Sequence, residues 1–310
     1  MAAVSHGHGH DFRAGRADDR RRLRAVLAVT LTVLVVEVVG ALLSGSLALL
    51  ADAGHMLLDS AAIAIALAAT YLAALPSTDR RTFGLHRAEI LAALVNAVVL
   101  VALCGYLVVT AVRRLQDPPA IEGGLMLAVA VVGLLGNLVA LALLRSRRDS
   151  TLNMRAAYLE VLADGLGSLA VVVAALVVIT TGVERADPIA TLLIAAMVLP
   201  RAFLLMLEAV DVLLEATPRH LDADEIRQRL CAIDGVTAVH DLHVWTITSG
   251  LPSLSAHVVV DDDVLDAEGV GRMLDRLCAC VGEGFDLEHT TFQVEPASHR
   301  AHEELGHPHP

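Results

Sequence analysis

Lysine is absent from the 310 residues, so arginine alone carries fixed positive charge and alone can set a membrane orientation. Cysteine is scarce: Cys104, Cys231, Cys278 and Cys280 show no CxxC spacing, which leaves a thiolate metal cluster unsupported, and they read as core residues. There is no HExxH, the helical signature of zinc hydrolases. A net charge of −12 argues against nucleic acid as a partner. What the chain has in excess is apolar: hydrophobic residues make up 55%, against about 45–50% in soluble domains, and mean hydropathy is +0.63. These values place it among membrane proteins.

A helix needs about 20 mostly apolar residues to cross the hydrocarbon core. Six stretches meet this, roughly 24–44, 47–75, 88–112, 122–144, 153–180 and 187–214. No small-residue cleavage site follows the Arg-rich start, so the first span is expected to stay. With six spans both termini share a side, which collects Arg13, Arg16, Arg20, Arg21, Arg22, Arg24, Arg80, Arg81, Arg87, Arg145, Arg147, Arg148 and Arg155. The opposite connections hold Arg113, Arg114 and Arg185. The positive-inside rule therefore puts both termini in the cytoplasm of a bacterial inner or plasma membrane.

Charge separates two parts. Residues 1–214 carry 17 acidic and 17 basic side chains, whereas 215–310 carry 18 acidic and 6 basic. In the second part DADEIRQRLCAI reads as a helix, VHDLHVWTI and SLSAHVVV as strands joined by TSGLPS, VLDAEGVGRMLDRLCACV as a second helix and TTFQVEP as a closing strand. That order fits a ferredoxin-like α+β module, regulatory or dimerising in role. The expected organisation is a flexible His- and Arg-containing N-terminus over 1–22, a six-helix transmembrane bundle over 23–215, a cytoplasmic ferredoxin-like domain over 216–297 and a flexible His-containing tail over 298–310.

Two spans carry paired ionisable residues four positions apart, His55 with Asp59 and Glu160 with Asp164. Positions i and i+4 share a helix face, so each pair points one way, and two such helices face to face close four ligands around one ion. The pairs sit among Ala53, Gly54, Ala61, Ala62, Ala163, Gly165, Gly167 and Ser168, small residues that let helices approach closely in lipid. One imidazole with three carboxylates suits a borderline divalent ion such as Zn²⁺; the lack of thiolate weighs against Cu(I), and the imidazole against Mg²⁺ or Ca²⁺. Packing or interhelical bonding explains one pair; two at bilayer depth need compensating partners. Asp52 falls on the face of His55 and Asp59, either beside the ligands as a relay or at the helix mouth in water. Asn96 and Asn137 read as interhelical hydrogen-bonders, and Glu37 as a structural group or a relay.

The segments SGSLALLADAGHMLLDS, TFGLHRAEILAALVN, LNMRAAYLEVLADGLGS, DPIATLLIAAMVL, LLEATP and VHDLHVWTITSG together resemble the cation diffusion facilitator family of divalent-metal transporters, over nearly the whole chain. The resemblance implies a homodimer that exchanges a cytoplasmic metal ion for protons, with HxxxD on the second and fifth helices. His55 and Asp59 match; on the fifth helix Glu160 stands where the family has histidine, which opens the site to Co²⁺, Cd²⁺, Fe²⁺ or Mn²⁺ beside Zn²⁺. The resemblance also places a regulatory metal at His240 and His257, where the later positions are Gln293 and Glu295, with His243 and His289 nearby in sequence. Ordinary strand histidines are the other reading. His6, His8, His10, His299, His302, His307 and His309 lie in tracts that scavenge metal weakly or are simply solvated.

Metal needs deprotonated ligands, so binding releases protons and protonation expels metal, with His55 and Glu160 as carriers. No catalytic cofactor is expected; Zn²⁺ is cargo and regulator. An intramembrane metalloenzyme needs an open coordination position and a general base, a passive channel a continuous polar lining, and a metal sensor no ligands at bilayer depth.

Overall fold

The computed structural model describes residues 9–73, 75–146, 152–248, 250–285, 287 and 289–302. Its chain divides into two compact units, one of residues 1–64 and 96–204, the other of 65–95 and 205–310. Six long helices appear in order: α1 (Gly9–Ser44), α2 (Leu47–Ala73), α3 (Arg87–Gln116), α4 (Gly123–Arg145), α5 (Leu152–Thr181) and α6 (Ala186–Leu213). Among the described residues five segments are long and apolar enough to cross a membrane: Arg24–Ser44 of α1, α3, α4, Met154–Thr181 of α5, and α6.

One expectation is corrected at the N-terminus. Residues 1–22 read as flexible, yet the backbone is helical from Gly9. Arg and Ala are good helix formers, and the segment continues a helix already nucleated by its apolar half. Residues 1–8, with His6 and His8, lie outside the described residues, as do 303–310 with His307 and His309.

In the first unit the core is built largely from small side chains: Ala41, Ala48, Ala51, Ala111, Ala130, Ala174, Ala175 and Ala190 pack with Leu47, Leu49 and Met126. Small residues bring helix backbones close without a hydrophobic driving force between helices. Large apolar groups such as Val35, Leu42, Leu43, Leu135 and Leu193 point outward instead.

The start of α2 is held by α6. Asp187 is fully buried; its carboxylate accepts from Ser46 Oγ at 2.5 Å, Leu47 N at 2.9 Å and Ala48 N at 3.1 Å, so a neighbouring helix supplies the cap that the first amides of α2 lack. Gly45, at φ 73°, makes the turn into α2. Asp187→Ala leaves these donors unpaired and should cost about 2–3 kcal/mol, read as a lower thermal midpoint of the purified protein. An unchanged midpoint would show that the cap does not hold α2.

In the second unit a sheet of β1 (Val236–Thr248), β2 (Leu251–Val260) and β3 (His289–Pro296) runs in that order, β1 antiparallel to β2 and β2 parallel to β3. The parallel pair needs a crossover, which α8 (Asp262–Glu268) and α9 (Val270–Phe285) supply. Ahead of the sheet comes α7 (Ala223–Cys231), capped by the Asp222 carboxylate on the amides of Asp224 and Glu225. Ile226 and Leu230 of α7 and Met273, Leu277 and Val281 of α9, the latter at i, i+4, i+8, close over Val244, Leu254 and Val258. The sequence suggests one helix over 264–281; the structure splits it at Gly269, whose φ of 81° ends α8 with an amide bond to Leu265 O. The tail also departs from expectation, since residues 297–302 form a 3-10 turn and Ser298 N donates to Asp262 Oδ1 at 3.3 Å. Within this unit Arg87 pairs with Glu215 at 2.7 Å and Thr248 Oγ1 donates to Glu89 Oε2 at 3.0 Å.

Candidate metal centre

His55, Asp59, Glu160 and Asp164 converge. His55 Nε2 lies 3.3 Å from Asp59 Oδ2 on its own helix and 3.6 Å from Asp164 Oδ1 on α5. One ligand atom each of His55, Asp59 and Glu160 falls within 4.8 Å of the others. At metal–ligand bonds of about 2.0–2.1 Å, adjacent donors of a tetrahedral site stand about 3.4 Å apart, so the spacings from His55 match the edges of a zinc-sized polyhedron. His55 and Asp164 are buried, at 8% and 5% exposure. Asp59 Oδ2, Asp164 Oδ1 and His55 Nδ1 have no hydrogen-bond partner among the described residues. The two buried carboxylate oxygens face the same imidazole nitrogen, His55 Nε2, without a hydrogen bond, an arrangement that a cation between them would satisfy.

Glu160 has a partner the sequence reading missed. Arg201 of α6 grips it with both guanidinium arms, Nη1 to Oε1 at 2.8 Å and Nη2 to Oε2 at 2.5 Å. The available signal was an ionisable residue in the middle of α6, directly after the helix-interior Pro200; such a residue within a span is a functional candidate by default. Glu160 is thus shared between the exposed guanidinium of Arg201 and the cluster around His55.

Asp52 and Asn137 meet one step away. Ser168 Oγ on α5 donates to Asp52 Oδ2 at 3.0 Å and accepts from Asn137 Nδ2 at 3.1 Å. Both residues are buried, at 1% and 2% exposure, so Asp52 is not at a wet helix mouth. Ser168 is the link, which sequence reading took only as a small packing residue.

A second cluster lies on the sheet of the other unit. His240, His257 and Gln293 are cross-strand neighbours in register on β1, β2 and β3. Glu295, 2% exposed, places Oε2 3.2 Å from His240 Nε2 and Oε1 2.7 Å from His257 Nδ1, and ligand atoms of the three lie within 4.8 Å of one another. Gln293 Nε2 donates to Glu295 Oε1 at 2.8 Å and so holds the carboxylate. His243 and His289 are not brought in: His243 Nε2 sits 3.4 Å from Asp241, and the His289 ring packs edge-on against Phe83 at 5.7 Å. Asp241, absent from the sequence-based set, lies 4.0 Å from His257 Nε2, at a strand irregularity with φ 53°. Burial pushes the Cys280 thiol up from its ordinary range, Arg229 pulling partly the other way, which keeps it protonated and a poor ligand near neutral pH.

His55 and Asp59 of α2 meet Glu160 and Asp164 of α5 in a unit rich in helices long and apolar enough to cross a membrane, the arrangement of a multi-pass membrane protein with a candidate cation site. The cation efflux transmembrane domain matches residues 23–214 and the cation efflux cytoplasmic domain residues 218–297; the chain belongs to the cation efflux, or cation diffusion facilitator, family. It is 43% identical over 291 residues to the metal cation efflux system protein CzcD of Cupriavidus metallidurans, covering 94% of this chain and 90% of that one. Against the zinc transporter ZitB of Shigella flexneri identity is 42% over 295 residues, covering 94% and 93%. Against a cadmium, cobalt and zinc/H(+)-K(+) antiporter of Bacillus velezensis it is 36% over 297 residues, again covering 94% and 93%.

Proposed function

We propose that this chain carries divalent metal cations, Zn²⁺ foremost, out of the cytoplasm in exchange for protons. It does so as a homodimer in a cell membrane with both termini cytoplasmic. The reading rests on one observation above all: His55, Asp59, Glu160 and Asp164 gather, with Asp59 Oδ2 and Asp164 Oδ1 lacking a hydrogen-bond donor among the described residues. The names of its relatives, a zinc transporter and metal-ion antiporters among them, support it. In α2 27 residues rise about 40 Å, more than the ~30 Å hydrocarbon thickness, which supports a sixth crossing beside the five apolar helices. Helix, hairpin, helices and a closing strand parallel to β2 support a ferredoxin-like cytoplasmic module over 216–297.

Facing the cytoplasm, His55 Nε2 and the carboxylates of Asp59 and Asp164 release protons as they take the ion. Facing outward, protons return to those atoms and the ion leaves. Rocking of helices about a fixed midplane site alternates the access. Glu160 joins the ion only as far as Arg201 yields it, which separates this site from the family's histidine pattern and leaves Co²⁺, Cd²⁺, Fe²⁺ and Mn²⁺ as competing cargo. In the other unit the two imidazoles and the buried Glu295 carboxylate fit a borderline divalent ion. Bound there by His240, His257 and Glu295, it would cross-link three strands and stabilise the module.

The exchange is tested in proteoliposomes: an imposed pH gradient should drive Zn²⁺ flux, and flux indifferent to that gradient would indicate a channel instead. Zn²⁺ affinity at the membrane site should rise from about pH 6 to about pH 8, since protons compete for an imidazole of ordinary pKa near 6.5 and for the carboxylates. For the second cluster, His240→Ala with His257→Ala should abolish the Zn²⁺-induced rise in the thermal midpoint of the cytoplasmic unit while flux through the membrane site survives. A rise that persists in the double variant would remove these histidines as ligands.

A further inference from the structure

A fully buried carboxylate on α1 takes no part in the metal cluster. Glu37 has 0% exposure, and neither of its oxygens has a hydrogen-bond partner among the described residues. The ionisable groups acting on it are Asp52 of α2 and Asp164 of α5, both acidic, while α4 offers it Gly133 and no charge. The guanidinium of Arg201 is taken up by Glu160.

The surroundings are shaped for this group. A Cβ on Gly133 would come within 2.2 Å of Glu37 Oε1, so the bare Cα of Gly133 leaves the space that the carboxyl occupies. Gly167 does the same for Asp52, whose Oδ1 lies 2.9 Å from the position its Cβ would occupy. Ser168 donates its single proton to Asp52 Oδ2 and accepts from Asn137, which identifies Asp52 as the acceptor of this chain. An ionised Glu37 near two further carboxylates inside hydrocarbon, with no cation and no donor on it among the described residues, is untenable; the same group as a carboxylic acid is compatible with burial.

We propose that Glu37 is a proton-binding site of the carrier, distinct from the four metal ligands, so that part of the proton traffic is carried on α1. The proposal rests on the exchange reading above. In the exchange, Glu37 releases its proton to the inner side when the ion is bound and takes one from the outer side when the ion has left. One O–H bond breaks in the first step and one forms in the second, and no other atom changes.

Glu37→Gln keeps the shape and leaves a permanently neutral amide. Zn²⁺ titration at fixed pH should find binding at the membrane site retained, which also reports folding. The number of protons released per Zn²⁺ should fall, and the acceleration of Zn²⁺ flux by a pH gradient should be lost or greatly reduced. Glu37→Asp, which restores a carboxyl one methylene shorter, should recover part of that acceleration; should the Gln variant not fold, the Asp variant decides by a displaced pH profile. Proton release and pH-driven flux like those of the wild type in Glu37→Gln would overturn the proposal while leaving proton exchange intact. Wild-type protein without pH-driven flux would overturn the exchange reading, and this proposal with it. Imposed K⁺ and Na⁺ gradients at constant pH separate the remaining source of a small cation: flux driven by either in the wild type and lost in Glu37→Gln, with the pH response kept, would overturn the proton in favour of that ion.

Discussion

Asp164→Asn should weaken Zn²⁺ binding at the membrane site by about 100-fold or more and remove pH-driven Zn²⁺ flux. The substitution keeps the volume but replaces an acceptor 3.6 Å from His55 Nε2, at 5% exposure, with a group that cannot balance the ion's charge. Breaking one partner of a buried charge set costs about 3–5 kcal/mol, and 1.4 kcal/mol is tenfold in affinity. The small loss expected from an outlying carboxylate is the contrary result. Isothermal titration with the cytoplasmic cluster removed separates the two, because sites on the other unit no longer contribute heat.

Arg201→Met should raise Zn²⁺ affinity about tenfold and slow turnover, because a guanidinium that holds both oxygens of Glu160 competes with the ion for them and repels it. Glu160→His releases the same pair by the other partner and restores a softer ligand, so it should favour Zn²⁺ over Mn²⁺ and Co²⁺ in a competition series. The two variants together should be less than additive, since each breaks the same contact. Lower affinity in Arg201→Met would mean instead that the guanidinium aligns Glu160 for the ion.

The helices were legible from their apolar runs: all six appear within a few residues of the expected stretches, apart from the earlier start of α1, and among the described residues five carry a segment long and apolar enough to cross a membrane, α2 not being one of them. The i, i+4 spacing made the facing of His55 with Asp59 and of Glu160 with Asp164 legible too, since that is a property of one helix. What one helix cannot report is its neighbour. Arg201 drew no reading from the sequence, and only the packing of α5 against α6 puts it on Glu160; Glu37, read as a structural group or a relay, gains its setting from Gly133 of α4. For the sheet cluster it was the family resemblance that pointed to His240, His257, Gln293 and Glu295; strand register brings these together and leaves His289 opposite Ser253. Asp241 escaped because a strand irregularity re-aims a side chain that alternation assigns to the other face.

Zinc X-ray absorption on purified protein lacking the sheet cluster, as His240→Ala with His257→Ala, puts the central claim to the most direct trial. The account requires one Zn²⁺ per chain, bound by nitrogen and oxygen at about 2.0 Å with no sulphur, and lost when Asp59→Ala is combined with Asp164→Asn. Zinc retained with an unchanged spectrum in that combination would show that α2 and α5 do not hold the transported ion between them.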